Sequence, residues 1–283
     1  METGANTELV RGFPRGRFRR VLFDFDGTIS LLREGWQRIM APMMAEMIAG
    51  GGEVTPEIEQ EVQALIDETT GMNTILQMER LVELVRRRGR VPEEQILNAR
   101  GYKAIYNERL MKPVRERLTH LERGELTVEQ AAVRGSLEFL RALRERGAVL
   151  YLASGTDHDD VEHEAACLGA AQLFDGGIHG AKEGPGEAHN KEQVIRRILE
   201  DHQLQGAEVL VVGDGPVELR NAKQHGCIAL GVASDETRGE GWNWEKRERL
   251  INAGADLLVP DFREWRALAA YLLDTPTEST GSG

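Results

Sequence analysis

Apolar positions along the chain fall into short runs separated by longer amphipathic stretches. Five runs have the length and composition of buried strands. They cover residues 21–23, 148–153, 208–212, 227–232 and 256–259. Helical patterns over residues 190–202 and 217–225 lie between the later runs. Because strands and helices alternate, the pattern predicts an α/β protein with a doubly wound, parallel sheet.

Residues 31–136 interrupt this alternation, because they contain no run that is typical of a strand. Thr55 followed by Pro56 is typical of a helix start, since proline is tolerated at the first helical position. Thr127 and Gln130 have the spacing of a capping box. An insert of this size, directly after a polar strand end, predicts an α-helical cap domain over a site. The alternative is a subdomain that only packs against the core.

The predicted domain organisation follows from this interruption. A core domain would comprise residues 18–30 and 137–273, with the inserted cap over residues 31–136. Residues 1–17 and 274–283 are expected to be loose terminal segments, since neither contains a convincing element.

Composition narrows the possible functions. A formal net charge of -12 over 283 residues argues against nucleic acid as a partner, because a nucleic-acid binder needs a basic face. Stretches apolar enough to span a membrane are missing, which argues against a membrane partner. The two cysteines, Cys167 and Cys227, are far apart in sequence and suit a reducing, cytoplasmic location.

Two carboxylates follow the first apolar run directly. Asp24 and Asp26 occupy alternate positions, so both side chains point to one side of the strand's carboxyl end. Ligands of open α/β sheets bind at that end. One carboxylate of such a pair can attack an electrophile while the other transfers protons. The alternative is an Asp-x-Asp-Gly turn that binds nothing.

Two later strand ends carry matching chemistry. Ser154 and Gly155 end the second run, where a hydroxyl and an amide beside a helix start favour an anion. Asp214 ends the third run, and Glu218 lies four residues further on. Converging carboxylates form a site of hard oxygen ligands, which favours Mg²⁺ over zinc. Glu218 is expected to hold a metal-bound water or a nearby lysine.

Two lysines are candidates for the cation that such a site needs. Lys191 opens the helical pattern before the Asp214 strand, so it would have a fixed position. Lys182 lies in a glycine-rich loop, where its position would be less well defined. The sequence favours Lys191 and leaves Lys182 open.

These pieces form four motifs in a fixed order. They are Asp24-Phe-Asp26-Gly-Thr28, Ser154, Lys191 and Gly213-Asp214-Gly-Pro-Val-Glu218. Their order and positions resemble the haloacid dehalogenase superfamily over residues 19–273. The helical insert resembles the caps of its phosphoglycolate phosphatase and β-phosphoglucomutase branch. The resemblance implies a Rossmann-like core with an inserted helical cap.

The resemblance also implies a role for each motif residue. Asp24 would be the nucleophile and Asp26 the acid and base. The carboxylates of Asp24 and Asp214 would bind Mg²⁺ together with the main-chain oxygen of Asp26. Thr28, Ser154, the Gly155 amide and Lys191 would contact the phosphoryl group. The chain departs from the family pattern at Glu218, where a second aspartate is usual, and in lacking a proline after the lysine.

Substrate specificity is expected to come from the insert. Thr70, Asn73, Thr74 and Gln77 offer uncharged hydrogen-bonding groups suited to the hydroxyls of a sugar or polyol. Arg33, just past the first motif, is positioned to meet a second anionic group. The alternative is a turn between two helices and a solvated arginine.

The function expected from the resemblance is Mg²⁺-dependent hydrolysis of a small phosphomonoester, such as a sugar phosphate, through an aspartyl phosphate. A phosphomutase shares every core residue and stays open, as does a non-catalytic protein that binds a phosphorylated metabolite. Asp26 counts against a dehalogenase. The absence of lysine from residues 30–50 counts against a phosphonatase. The sequence leaves the oligomeric state open.

Overall fold

The computed structural model describes residues 6–182 and 191–274. Within them, seven strands form one sheet, in the order β1-β7-β6-β5-β2-β3-β4. The strands are β1 (Glu8–Leu9), β2 (Arg20–Phe23), β3 (Val149–Asp157), β4 (Gly177–Ala181), β5 (Val209–Gly213), β6 (Ile228–Val232) and β7 (Leu257–Val259). All pairings are parallel except that of β1 with β7. The α/β fold with a parallel sheet is confirmed.

Ten α-helices accompany the sheet in the described residues. The first four follow β2 along the chain: α1 (Trp36–Ala49), α2 (Pro56–Thr69), α3 (Thr74–Arg88) and α4 (Ala99–Glu122). The others are α5 (Ser136–Glu145), α6 (His158–Cys167), α7 (Lys191–Asp201), α8 (Pro216–Gln224), α9 (Trp244–Ala253) and α10 (Trp265–Leu273). None of the helices in the described ranges is long and apolar enough to cross a membrane.

The sheet separates two apolar cores, as a doubly wound arrangement requires. Val21 and Phe23 of β2 face the core shared with α5, α6 and α10. Leu22, between them, faces the core shared with α7, α8 and α9. Both faces of β2 are therefore buried, which explains its uninterrupted apolar run.

Helices α1 to α4, here called the helical insert, pack on one another and extend the first core. Helix α2 begins at Pro56, where the sequence placed a start. Thr127 and Gln130 exchange the two hydrogen bonds of a capping box, at 2.9 and 3.3 Å. Only a turn follows them, because the chain pairs with residues 29–31 instead of continuing as a helix.

Two elements depart from the sequence expectations. Residues 1–17 were expected to be loose, yet Glu8–Leu9 adds an antiparallel edge strand to β7, and Arg247 pairs with Glu8 at 2.5 Å. Strand β4 gave no sequence signal, because its residues, Gly-Ile-His-Gly-Ala, contain a single large apolar side chain. Its pairing with β3 supplies the backbone hydrogen bonds that its composition does not predict.

Candidate active site

The sheet register brings the three polar strand ends together. Phe23 of β2 pairs with Leu152 of β3 on one side and with Val212 of β5 on the other. Asp24 continues this ladder, since its amide donates to the carbonyl of Val212 at 2.9 Å. The carboxyl ends of β2, β3 and β5 therefore carry the candidate residues side by side.

Asp24 lies in a buried charge network with Lys191 and Glu218. The Lys191 Nζ lies 2.8 Å from Asp24 Oδ1 and 3.3 Å from Glu218 Oε2. Lys191 is the first residue of α7 and is 6% exposed. Lys182 is exposed and is absent from the described cavity wall, so the structure places Lys191, and not Lys182, beside Asp24.

Burial sets the protonation tendencies in this network. Loss of solvent raises the pKa of Asp24, although Lys191 counteracts the shift. Burial alone would lower the pKa of Lys191, but Asp24 and Glu218 outweigh it and raise that pKa. The ammonium is therefore fixed as a cation beside Asp24.

Asp26 belongs to a separate hydrogen-bond network. Its Oδ2 accepts from Thr156 Oγ1 at 2.8 Å and from Ser154 Oγ at 3.4 Å. Its Oδ1 is buried and accepts no hydrogen bond from any described residue. Burial raises the pKa of Asp26, while Arg33 and the Thr156 hydrogen bond lower it. A raised pKa favours the protonated form that a general acid needs.

The turn after Asp26 explains the glycine of the first motif. Gly27 has φ +73°, and a Cβ there would lie 2.2 Å from Asp214 Oδ2. Only glycine allows both this conformation and this contact. Thr28, predicted to bind phosphate, is instead fully buried and absent from the described cavity wall. Its hydroxyl has no hydrogen-bond partner among the described residues.

Asp214 is held by a lysine that sequence reasoning missed. Lys246 Nζ lies 2.8 Å from Asp214 Oδ2 and 2.7 Å from Glu236 Oε1. Asn243 caps α9 by accepting from the Lys246 amide at 3.0 Å, which fixes the start of this helix. The only sequence signal was a lysine in the first turn of a helix, which is far too common to single out Lys246.

Three carboxylates fit a divalent metal. Oxygens of Asp24, Asp214 and Glu218 lie within 4.8 Å of one another. Hard oxygen donors of this kind suit Mg²⁺. The Asp26 carboxylate is not part of this cluster, and its Oδ2 contacts Thr156 and Ser154; the resemblance implies a metal contact for its main-chain oxygen. The sequence predicts that Glu218 holds a metal-bound water or a lysine. Its Oε2 lies 3.3 Å from Lys191 Nζ, and its carboxylate also lies within the acidic cluster.

The helical insert and the core together line a cavity of about 90 Å³ that opens to the surface. The core contributes Asp24, Asp26, Ser154, Gly155, Thr156, Lys191 and Asp214, and Arg33 comes from the segment between the first motif and the insert. The insert contributes Trp36, Thr70, Gly71, Met72, Thr74, Gln77, Tyr106 and Leu110. Both parts of the chain therefore form the wall.

The turn between α2 and α3 approaches the core closely at two glycines. A Cβ at Gly155 would lie 2.6 Å from the carbonyl oxygen of Met72. A Cβ at Gly71, where φ is +93°, would lie 2.5 Å from Glu218 Oε2. Small residues on both sides thus allow the turn to lie against the predicted phosphate-binding and metal-binding groups.

Arg33 lies in the cavity wall but is already paired. Its Nη2 lies 2.6 Å from Glu164 Oε1 and 3.1 Å from Asp160 Oδ2, both on α6. Burial raises the pKa of Glu164 to about 7, although Arg33 counteracts the shift. The sequence placed Arg33 against a substrate anion, whereas the structure places two carboxylates on it.

The predicted specificity residues of the insert divide into two groups. Thr70, Thr74 and Gln77 line the cavity, whereas Asn73 is buried and absent from its described wall. The Gln77 amide nitrogen donates to Thr69 Oγ1 at 3.2 Å and to the Thr69 carbonyl at 3.3 Å. Gln77 therefore also joins the start of α3 to the end of α2.

Comparisons with known proteins agree with this geometry. A family model of haloacid dehalogenase-like hydrolases matches residues 18–226. A structure described as a predicted phosphatase from Clostridium acetobutylicum is 17% identical with a TM-score of 0.56, over 89% of this chain and 98% of that one. A predicted phosphoglycolate phosphatase from Haemophilus somnus 129pt is 16% identical with a TM-score of 0.57, over the same shares of both chains.

A β-phosphoglucomutase from Clostridium difficile is also similar, at 14% identity and a TM-score of 0.55, over 87% of this chain and 92% of that one. No curated protein matches the chain at a significant level. Identities this low support a shared fold alone. The family model is more informative, because it spans most of the chain, from before the first motif to beyond Glu218. This protein belongs to the haloacid dehalogenase-like hydrolases.

Proposed function

We propose that this protein is a Mg²⁺-dependent phosphatase that hydrolyses a small phosphomonoester through an aspartyl phosphate. The observation that carries the proposal is the separation of Asp24 and Asp26 into two networks. Asp24 contacts the Lys191 ammonium at 2.8 Å, whereas Asp26 accepts from Thr156 at 2.8 Å. One carboxylate is thus kept beside a cation as a nucleophile, and the other is held as a proton carrier.

The first step forms a bond between Asp24 and phosphorus. The bond from phosphorus to the leaving oxygen breaks, and protonated Asp26 gives its proton to that oxygen. In the second step, Asp26 takes a proton from water as the water attacks the phosphorus of the aspartyl phosphate. Phosphate leaves, the Asp24 carboxylate is restored, and Asp26 is protonated again.

The surrounding groups stabilise the charge of the transferred phosphoryl group. Lys191 supplies a fixed positive charge, because its raised pKa keeps it protonated. Ser154 and the Gly155 amide supply hydrogen-bond donors from the end of β3. Donors fixed in advance stabilise developing charge more effectively than water, which must reorganise.

Asp24, Asp214 and Glu218 are the carboxylates that would hold Mg²⁺, together with the main-chain oxygen of Asp26. The ion would offset negative charge on the phosphoryl oxygens when bound. Lys246 keeps Asp214 in position through its contact at 2.8 Å.

We assign the helical insert the role of a cap that excludes water and shapes the leaving-group side of the cavity. Two ion pairs between the insert and the core support this role. Lys103 of α4 lies 2.5 Å from Asp157 at the end of β3, and Arg249 of α9 lies 2.8 Å from Asp67 of α2. The Arg249–Asp67 pair is partly exposed, and pairs of that kind are weak enough to break when a cap opens.

The test is a phosphatase assay on p-nitrophenyl phosphate and a panel of phosphorylated metabolites, with Mg²⁺ or with a chelator. We expect turnover that chelation abolishes and added Mg²⁺ restores. The Asp24→Asn variant is the control for contaminating phosphatases. Turnover that survives chelation would contradict the proposal, and inactivity over a broad panel would favour a binding protein.

A further inference from the structure

Among the described residues of the cavity wall, Arg33 and Lys191 are the cationic side chains, and Lys191 is paired with Asp24. An isolated arginine there would attract a second anionic group of a substrate. Arg33 is not isolated, because its Nε lies 3.0 and 3.1 Å from the two oxygens of Glu164. Its Nη2 adds contacts at 2.6 Å to Glu164 and 3.1 Å to Asp160.

The burial of the cluster formed by Arg33, Glu164 and Asp160 determines how it responds to a substrate anion. The side chain of Arg33 is 9% exposed and that of Glu164 is 1% exposed. A substrate anion could bind Arg33 through Nε or Nη2 only by displacing Glu164 or Asp160, and displacing Glu164 would leave a buried carboxylate without its partner. Losing one member of a buried pair is strongly unfavourable.

The net charge around Arg33 also disfavours a second anionic group on the substrate. One guanidinium faces two carboxylates on α6, those of Glu164 and Asp160. A second anion on the substrate would therefore meet a cluster with excess negative charge. A neutral leaving group meets no such penalty.

The remaining wall suits a neutral, compact group. Thr70, Thr74 and Tyr106 offer hydroxyls, while Trp36 and Leu110 offer apolar surface. The cavity has a volume of about 90 Å³. A water molecule needs about 10–15 Å³ by this kind of measure, so the cavity holds about six to nine waters, enough for a phosphoryl group and a small leaving group.

We propose that Glu164, with Asp160, holds Arg33 so that the site selects phosphomonoesters with a compact, uncharged leaving group and rejects those with a second anionic group. Glu164 is thereby a positioning residue that determines specificity through Arg33. The inference rests on the proposed phosphatase function. Under it, this chain would not favour phosphoglycolate, although one structural neighbour is described as a predicted phosphoglycolate phosphatase.

The test compares two esters that differ in one group. These are 2-hydroxyethyl phosphate, with a neutral alcohol tail, and 2-phosphoglycolate, with a carboxylate in its place. Both are assayed with Mg²⁺ at pH 8, above the pKa of about 7 that burial gives Glu164. We expect the wild type to favour the hydroxyethyl ester at least tenfold in kcat/KM.

Glu164→Gln keeps the size of the side chain and removes its charge. It should move the kcat/KM ratio at least tenfold toward phosphoglycolate, mainly by lowering the KM for that ester. Asp160→Asn, at a more exposed position, should move the kcat/KM ratio in the same direction by a smaller factor. This variant replaces Glu164→Gln in the test if Glu164→Gln does not fold. Glu162→Gln is the matched control, because Glu162 is exposed on the same helix.

A wild type that favours phosphoglycolate would overturn the inference and leave the phosphatase proposal standing. Equal losses on both esters in Glu164→Gln would assign Glu164 a purely structural role and also overturn it. Dissociation constants of both esters for Asp24→Asn, with and without Glu164→Gln, give a second readout by calorimetry. Absence of turnover would then count against the phosphatase proposal alone, while the binding preference would still decide this inference.

Discussion

The two halves of the candidate site are built differently. On the sheet side, Asp24, Ser154 and Asp214 take their positions from three neighbouring strands whose register is fixed by backbone hydrogen bonds. On the insert side, the wall comes from helices whose position depends on contacts with the core, such as that between Gly71 and Glu218. The groups assigned to the reaction therefore lie where backbone hydrogen bonds fix their positions. The groups assigned to selectivity are held in place by other side chains.

The largest effect should come from Asp24. Asp24→Asn should reduce kcat by about 10⁴-fold or more, because an amide is a poor nucleophile and loss of a nucleophile removes the covalent route. Acid-quenched trapping of the phosphoenzyme checks the cause. A variant that still forms phosphoenzyme would move the nucleophile to another residue.

The second-largest effect should come from Asp26. Asp26→Asn should lose about 10²–10⁴-fold in kcat, the usual contribution of general acid–base catalysis. The loss should be greater for an alkyl phosphate than for p-nitrophenyl phosphate, since a good leaving group needs less protonation. Full activity on an alkyl phosphate would refute the assigned role.

A comparison of Lys191 with Lys182 tests how much a lysine fixed at the start of α7 contributes to kcat/KM. Lys191→Ala should lose about 10²–10³-fold in kcat/KM, the range for removing one preorganised electrostatic group. Lys182→Ala is the matched control and should stay near wild type, because Lys182 is exposed outside the described cavity wall. The assays hold Mg²⁺ and protein concentrations fixed. The reverse ranking would exchange the two assignments.

Variants of Lys246 test whether Asp214 needs a residue outside the four motifs to hold it in position for Mg²⁺. Lys246→Met should weaken Mg²⁺ binding by about 10–100-fold, as loss of a group that orients a metal ligand does. The loss should be partly rescued by Lys246→Arg, which keeps a cation near Asp214. Calorimetric titration with Mg²⁺ measures it directly. Unchanged affinity would show that Asp214 needs no orienting partner.

The smallest effect is expected on the insert side. Gln77→Ala removes the hydrogen bonds to Thr69 and should cost about 1 kcal/mol of unfolding free energy. That corresponds to about 2–4 °C in Tm for a chain of this size. Glu79→Ala, exposed on the same helix, is the control. A loss of kcat/KM as large as that of Lys191→Ala would remove the distinction between the two halves.

Predictions from the sequence succeeded best where the chain pattern is local. The apolar run before Asp24 and the helix start at Pro56 both appear where expected. Strand β4 was missed because its pairing with β3, and not its own composition, makes it a strand. Arg33 was placed against a substrate anion because nothing near it in sequence shows Glu164, which lies 131 residues away in the chain.

The sequence by itself determined the α/β alternation, the place of the helical insert, and the candidate roles of Asp24, Asp26 and Asp214. The first two follow from local periodicity, which a single stretch of chain encodes. The candidate roles follow from the resemblance of short motifs at strand ends to those of the haloacid dehalogenase superfamily. Only the tertiary structure placed Lys191 beside Asp24 and Lys246 beside Asp214, and paired Arg33 with Glu164. Those contacts join side chains from elements far apart in the chain, and their energies depend on distance and burial, which no local pattern specifies.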